Sequence, residues 1–156
     1  MKRTLLALLV CSFFALPTLA KDGDADFKAL VDKYCAGWGS LDPDKAAPLY
    51  AKDPDLVFFD VTPLKFTGWP EYAASTREHF ATFESLKLTP AGDLKVTQRG
   101  TVAWTTSTIH IDLKQKGANE PMGLDVRQTL IWEKRGPEWL IVHEHFSAPM
   151  HGDHED

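Results

Sequence analysis

The sequence is poor in cysteine, in clustered basic residues and in long apolar runs, and each shortage removes a class of protein. It holds 2 cysteines in 156 residues, Cys11 and Cys35. Cys11 lies in an N-terminal apolar segment, so loss of that segment leaves Cys35 alone and no internal disulfide. No block of Lys or Arg occurs and the formal net charge is -5, which makes nucleic acid and anionic membranes poor partners. Past the N-terminal segment no apolar run is long enough to span a bilayer. No internal repeat is present, so a solenoid is excluded.

The N-terminus has a definite grammar. Met1-Lys2-Arg3 is basic, Thr4 to Pro17 is apolar, and Thr18-Leu19-Ala20 brings small residues near a cleavage point. That order predicts a secretory signal peptide over residues 1–20. Val10 precedes Cys11, where a lipoprotein signal wants a small residue, so cleavage after Ala20 is expected rather than lipid anchoring. Without Lys2 and Arg3 the formal charge moves from -5 to -7. The expected product is periplasmic or secreted, with no membrane partner after cleavage. Residues 21–150 then form one domain, since about 136 residues suffice for a proper core. Residues 151–156 read as a disordered acidic tail whose histidines could hold Zn, Cu or Ni only loosely.

Within the domain the predicted helices come first and the strands after. Phe27, Leu30, Val31, Tyr34 and Trp38 recur at helical spacing, and Gly37 and Gly39 are expected to stop that helix. Asp42-Pro43 reads as an N-cap and first helical residue, with Pro48 keeping the second helix short. A small strand covers Leu56 to Asp60. Gly68-Trp69-Pro70-Glu71 opens a third helix with Tyr72, Thr76, Phe80 and Phe83 on one side. Strands are expected near Leu88–Gln98, Val102–Lys114, Leu124–Lys134 and Trp139–Ser147. Helices segregated before an antiparallel sheet predict an α+β domain.

The last two strands flank Gly136-Pro137 and read as a hairpin. Pairing Trp132 with Leu140 sets Leu130 against Val142 and Gln128 against Glu144 on a mostly apolar inner face. The other face then pairs Thr129 with His143 and Arg127 with His145, beside Asp125 and Ser147. Two histidines at i, i+2 could ligate a metal, with His110 as a third nitrogen, but Arg127 opposite His145 opposes a cation. The expected reading of Arg127, Thr129, His143, His145 and Ser147 is a hydrogen-bonded polar network on the outer sheet face, with no metal and no cofactor.

The pattern T-x-x-W-x-x-R…W-x-x-V-H-x-H-x-S-x-P, here Thr129, Trp132, Arg135, Trp139, Val142, His143, His145, Ser147 and Pro149, resembles the end of the calcium/calmodulin-dependent kinase association domain and of small SnoaL-like proteins. With the element order, it makes the chain similar to the nuclear transport factor, ketosteroid isomerase and SnoaL-like superfamily. The resemblance implies a cone-shaped fold: three N-terminal helices packed on a strongly curved mixed or antiparallel sheet, with a pocket at the open mouth. It also implies a homodimer through the outer sheet face, which protonation of His143 or His145 near Arg127 would weaken.

With the even-numbered residues of the last strands facing inward, and Trp104, Thr106, Thr108 and His110 taken as inward too, the expected pocket holds Tyr34, Asp60, Trp69, Tyr72, Trp104, Thr108, His110, Gln128 and Glu144. Many rings and few polar groups suit a small hydrophobic or aromatic ligand. The resemblance to ketosteroid isomerase offers an alternative. There Tyr34 matches a tyrosine on the first helix, and Asp60 matches the base after the first strand if two residues are inserted within 52–56. The third position falls on Gln128, so that triad is broken, with Glu144 opposite it sharing the task. Each residue also has a plain role: Tyr34 as helix core, Asp60 as a turn cap before Thr62-Pro63, His110 at a strand rim. Glu144 is sharper, because a carboxylate among apolar neighbours must be paired, protonated or at an edge. Three functions therefore stand: a ligand binder, an isomerase, cyclase or hydratase using Asp60 and Tyr34, and a dimerisation or partner-binding module.

Overall fold

A computed structural model describes residues 22–149. The signal peptide and the tail expected at the two ends lie outside them. Helix α1 (Asp22–Gly39) is followed by α2 (Pro43–Ala46), a 3₁₀ turn (Ala47–Leu49), β1 (Val57–Phe59), β2 (Phe66–Thr67) and α3 (Gly68–Phe80). Then come β3 (Phe83–Pro90), β4 (Lys95–Arg99), β5 (Val102–Gln115), β6 (Met122–Arg135) and β7 (Glu138–Ser147). The 7 strands form one mixed sheet in the order β2-β1-β7-β6-β5-β3, with β4 also paired to β5. Only β1 and β7 run parallel among the described strands. This is the α+β cone, with three helices on one side of the sheet.

The helices form for the reasons legible in the chain, with one correction. Phe27, Val31, Tyr34 and Trp38 are all buried at helical spacing. Asp42 caps α2, its Oδ1 accepting the Asp44 N–H at 3.0 Å. Helix α1 ends at Gly39, with Gly37 still inside it, and the left-handed turn that follows is taken by Leu41 at φ 60° in place of a glycine. Gly37 serves packing instead: a Cβ there would lie 3.0 Å from the Ala46 Cα, so glycine lets α1 and α2 touch. Gly68 is required twice over, by a φ of 70° and by the Pro54 carbonyl 3.0 Å from where a Cβ would sit.

Two strand expectations change. The run expected as one strand over 88–98 is two, β3 and β4, separated at Ala91-Gly92-Asp93. Asp93 anchors that turn by accepting from the Thr108 N–H at 2.9 Å and the Thr108 hydroxyl at 2.8 Å. Phe83 consequently belongs to β3 and not to α3.

The hairpin register also changes. Trp132 pairs with Ile141, and beyond a bulge Leu130 pairs with Glu144 and Gln128 with Phe146. The bulge inserts one extra residue at Val142, so the inward parity switches there. Ile141 is fully buried while Leu140 and Val142 are only half-buried. The outer face shifts with it: Thr129 meets His145, and Arg127 meets Ser147 rather than His145.

Candidate functional site

The centre of the cone is built from tyrosines and one carboxyl. Glu144 sits on the inward row of β7 at 0% exposure. Its Oε1 accepts the Tyr34 hydroxyl of α1 at 2.9 Å and the Tyr72 hydroxyl of α3 at 2.8 Å. Its Oε2 accepts the hydroxyl of Tyr50, the residue that follows the 3₁₀ turn. Tyr50 in turn accepts the Trp38 indole N–H at 3.0 Å. One carboxyl thus receives donors from two helices and from the extended residue that follows the 3₁₀ turn.

The electrostatics follow from that burial. Loss of water pushes the Glu144 carboxyl up to about 7; the three tyrosine hydroxyls pull it down and the nearby Asp60 charge pushes it further up. Desolvation, reinforced by the Glu144 charge, holds Tyr34, Tyr50 and Tyr72 well above the ordinary phenol value. The tyrosines therefore act as fixed neutral donors. Asp60, partly buried after β1, is also raised by desolvation, although its Oδ1 accepts the Val61 N–H at 2.6 Å.

Tyr34, Asp60, Tyr72 and Glu144 line one cavity of about 100 Å³ together with Trp38, Thr76, Phe80, Leu86, Leu88, Ile111 and Phe146. Asp60 and Phe146 also border a wider vestibule of about 900 Å³ under Phe59, Val61, Leu64 and Lys65.

Five residues expected in the pocket lie elsewhere. Trp104, Thr108 and His110 face outward, because β5 buries its odd row. Ala103, Thr105, Ser107 and Ile109 pair with Trp132, Leu130, Gln128 and Val126, all inward on β6. Trp104 is left 39% exposed. Small residues on the odd row make room for Trp132, whose indole N–H donates to Thr105 Oγ1 at 3.0 Å. His110 instead contacts Asp125 at 2.7 Å and Asp112 at 3.4 Å on the outer surface. Trp69 is core, its ring 4.6 Å from that of Tyr50. Gln128 is buried beside Ser107, which donates to its Oε1 at 3.0 Å, while its Nε2 has no partner among the described residues.

Sequence reading missed Tyr50, Trp38 and Phe146 as parts of this site. Tyr50 carried no signal, since it follows Pro48 outside any periodic run. Phe146 was hidden by the register. On the outer face His143 donates from Nδ1 to the Val57 carbonyl at 2.7 Å, and the Phe59 ring lies 5.4 and 5.7 Å from the rings of His143 and His145. Among the described residues no group of His, Cys, Asp or Glu has the arrangement of a metal site.

Comparison with known proteins agrees with the fold. A nuclear transport factor 2-like superfamily protein from Salmonella enterica serovar Typhimurium superposes with a TM-score of 0.75 at 20% identity, covering 85% of this chain and 95% of its own. A protein from Xanthomonas campestris, assigned as a calcium/calmodulin-dependent protein kinase II association domain, gives 0.72 at 23% identity, with 88% and 94% covered. A hypothetical protein with a ketosteroid isomerase-like fold from Catenulispora acidiphila, solved in complex with trimethylamine, gives 0.60 at 20% identity, with 78% and 85% covered. No curated protein matches. The SnoaL-like domain family matches residues 28–151, and the chain belongs to that family.

Proposed function

We propose that this is an exported protein that binds a small, largely apolar molecule in the cone cavity. The observation that carries the binding half is a cavity lined mainly by rings and aliphatic side chains, with Tyr34, Tyr72, Asp60 and Glu144 as its convergent polar groups. At about 100 Å³ it is well below the roughly 300 Å³ at which pockets for drug-sized ligands begin. The inner ligand is therefore compact, and a larger one would extend into the vestibule past Phe146. The trimethylamine held by the C. acidiphila relative is compact in this sense. The export half rests on the basic start, apolar run and small residues before Lys21.

Native mass spectrometry of protein purified from its own host tests both halves. The expected result is a chain beginning at Lys21 that carries a small retained molecule, displaced in the variant Ile111→Trp, which fills the cavity. A lipid-modified chain beginning at Cys11 would refute simple export. A ligand retained equally by the variant would place binding elsewhere.

The second reading, proton-transfer catalysis, is favoured by Asp60, Tyr34 and Tyr72 lining one cavity. Asp60 would take the proton. Tyr34 and Tyr72 donate to Glu144 and could serve a developing oxyanion only by turning from it. Exchange of α-protons of model ketones in heavy water tests this. Asp60→Asn should slow it at least about a hundredfold, the usual scale for a positioned base, and exchange indifferent to that change refutes the mechanism. We further propose that the outer sheet face, with Trp104, Ile131 and His143 in one cross-strand row, pairs two copies.

A further inference from the structure

Resting on the reading of the cone cavity as a binding site, we infer that its occupant is a small organic cation of the alkylammonium class. The lining brings five aromatic side chains, Tyr34, Trp38, Tyr72, Phe80 and Phe146, together with two carboxyls, Asp60 and Glu144, and no Lys, Arg or His. Aromatic walls attract cations through the negative faces of their rings, and most strongly where water is excluded.

The carboxyls form no ion pair with the described residues. Among the described residues neither Asp60 nor Glu144 takes part in a salt bridge. Four groups face Glu144: Tyr34 from α1, Tyr50 after the 3₁₀ turn, Tyr72 from α3 and Asp60 after β1. None is cationic. Asp60 feels His79 of α3 at longer range and shares the vestibule with Lys65. Lys52, the cation nearest the aromatic core, is already spent: its Nζ sits 3.6 Å from the Trp69 ring centre and donates to the Ala47 carbonyl at 2.7 Å. Two acids set among aromatic and aliphatic side chains, one fully and one partly buried, are costly to ionise without a partner. A bound cation supplies the missing charge.

Hydrogen-bond polarity points the same way. Tyr34 and Tyr72 give their protons to Glu144, so what they present to the cavity is oxygen lone pairs. The Val61 N–H is taken by Asp60, and the Trp38 N–H by Tyr50. The Thr76 hydroxyl is the remaining donor of the lining. A site made of acceptors and π-faces rejects anions and takes a cation, and its volume limits that cation to a compact substituted ammonium.

Three probes, each built on a centre carrying at least three methyl groups, separate the possibilities: tetramethylammonium, the neutral 2-methylpropan-2-ol with the same number of heavy atoms, and the slightly larger anion 2,2-dimethylpropanoate, each titrated at pH 8 and followed by backbone amide NMR. The cation should bind about tenfold tighter than the alcohol, a factor within reach of a desolvated cation–π site, and the anion should not bind. Asp60→Asn should weaken the cation about fivefold or more, as loss of a partly buried counter-charge does, and weaken the alcohol by clearly less. In the wild type, whose fold is not in question, the preference for the cation should shrink from pH 8 to pH 5 as Glu144 takes up its proton. Alcohol binding as tight as cation binding overturns the charge assignment but keeps the cavity as a binding site, and tighter anion binding does the same. No binding by any probe overturns both.

Discussion

The Tyr72 hydroxyl of α3 and the Tyr34 hydroxyl of α1 donate to the same oxygen of Glu144, at 2.8 and 2.9 Å. That oxygen is where two helices and the sheet are tied. Hydrogen bonds to a buried charged acceptor contribute about 1.5–3 kcal/mol each, so Tyr72→Phe and Tyr34→Phe should each destabilise by that order at pH 8. Because they share an acceptor, the double variant should cost less than the sum of the two. Urea unfolding followed by tryptophan fluorescence measures this. Additive losses of only a few tenths of a kcal/mol would show that Glu144 does not hold the helices.

Ser107 and Gln128 form the opposite case. Gln128 is 2% exposed, its carbonyl oxygen accepts from Ser107, and its amide nitrogen has no partner among the described residues. A buried polar group in that state costs about 1–3 kcal/mol. Replacing both residues, Ser107→Ala with Gln128→Leu, removes the polar pair at similar shape. The double variant should melt at a higher temperature than the wild type, and calorimetry checks it. A lower melting temperature would mean the amide serves a purpose the fold needs.

Trp104 faces away from the cavity, level with Ile131 and His143 on the outer sheet face. Trp104→Ala should therefore leave ligand affinity within about twofold of wild type, since no buried contact to the ligand is lost. The same position tests self-association. Wild type should sediment as a dimer and Trp104→Glu as a monomer, because a charge in an apolar interface core is costly. A wild-type monomer at high concentration refutes pairing, and a dimeric Trp104→Glu moves it to another surface.

Element order and helix faces were legible because they depend on local periodicity. Phe27, Val31, Tyr34 and Trp38 announce a buried stripe without reference to the rest of the chain. The site was half legible. Glu144 stood out as a carboxyl in an apolar row, and Tyr34, Asp60 and Tyr72 fell on elements that topology brings together. Sheet parity was not legible at two places. A bulge at Val142 has no residue signature, so the hairpin register slipped and Gln128 was set opposite Glu144 in place of Phe146. On β5 the row of Trp104, Thr106, Thr108 and His110 reads as inward in the sequence, whereas the core needed the small Ala103, Thr105 and Ser107 against Trp132, Leu130 and Gln128. Local hydrophobicity favours the bulky residue, and packing against a partner strand overrides it.

The buried carboxyl also sets a pH dependence with a definite sign. Burial raises Glu144 from an ordinary value of 4.5 to about 7, so between those values the folded chain holds a proton that the unfolded chain has lost. Stability from this group is then fully present below about pH 4.5, declines as pH rises and levels off above about pH 7. The decline is on the order of 3 kcal/mol. Asp60 is raised by desolvation and contributes in the same direction from lower pH. Asp53, half-buried, and Asp93, exposed, are held below the ordinary range by Arg135 and by Thr108 and act in the opposite sense only at the acid end. The test is the urea midpoint from pH 5 to pH 8. Wild type should lose stability across that window. Glu144→Gln should lose most of the slope, and Asp60→Asn should keep most of it. Saturation with tetramethylammonium at each pH should also flatten the curve, since a bound cation offsets the charge that makes Glu144 costly to ionise. A wild-type midpoint that rises from pH 5 to pH 8 would mean the tyrosine hydroxyls outweigh desolvation and hold Glu144 ionised throughout.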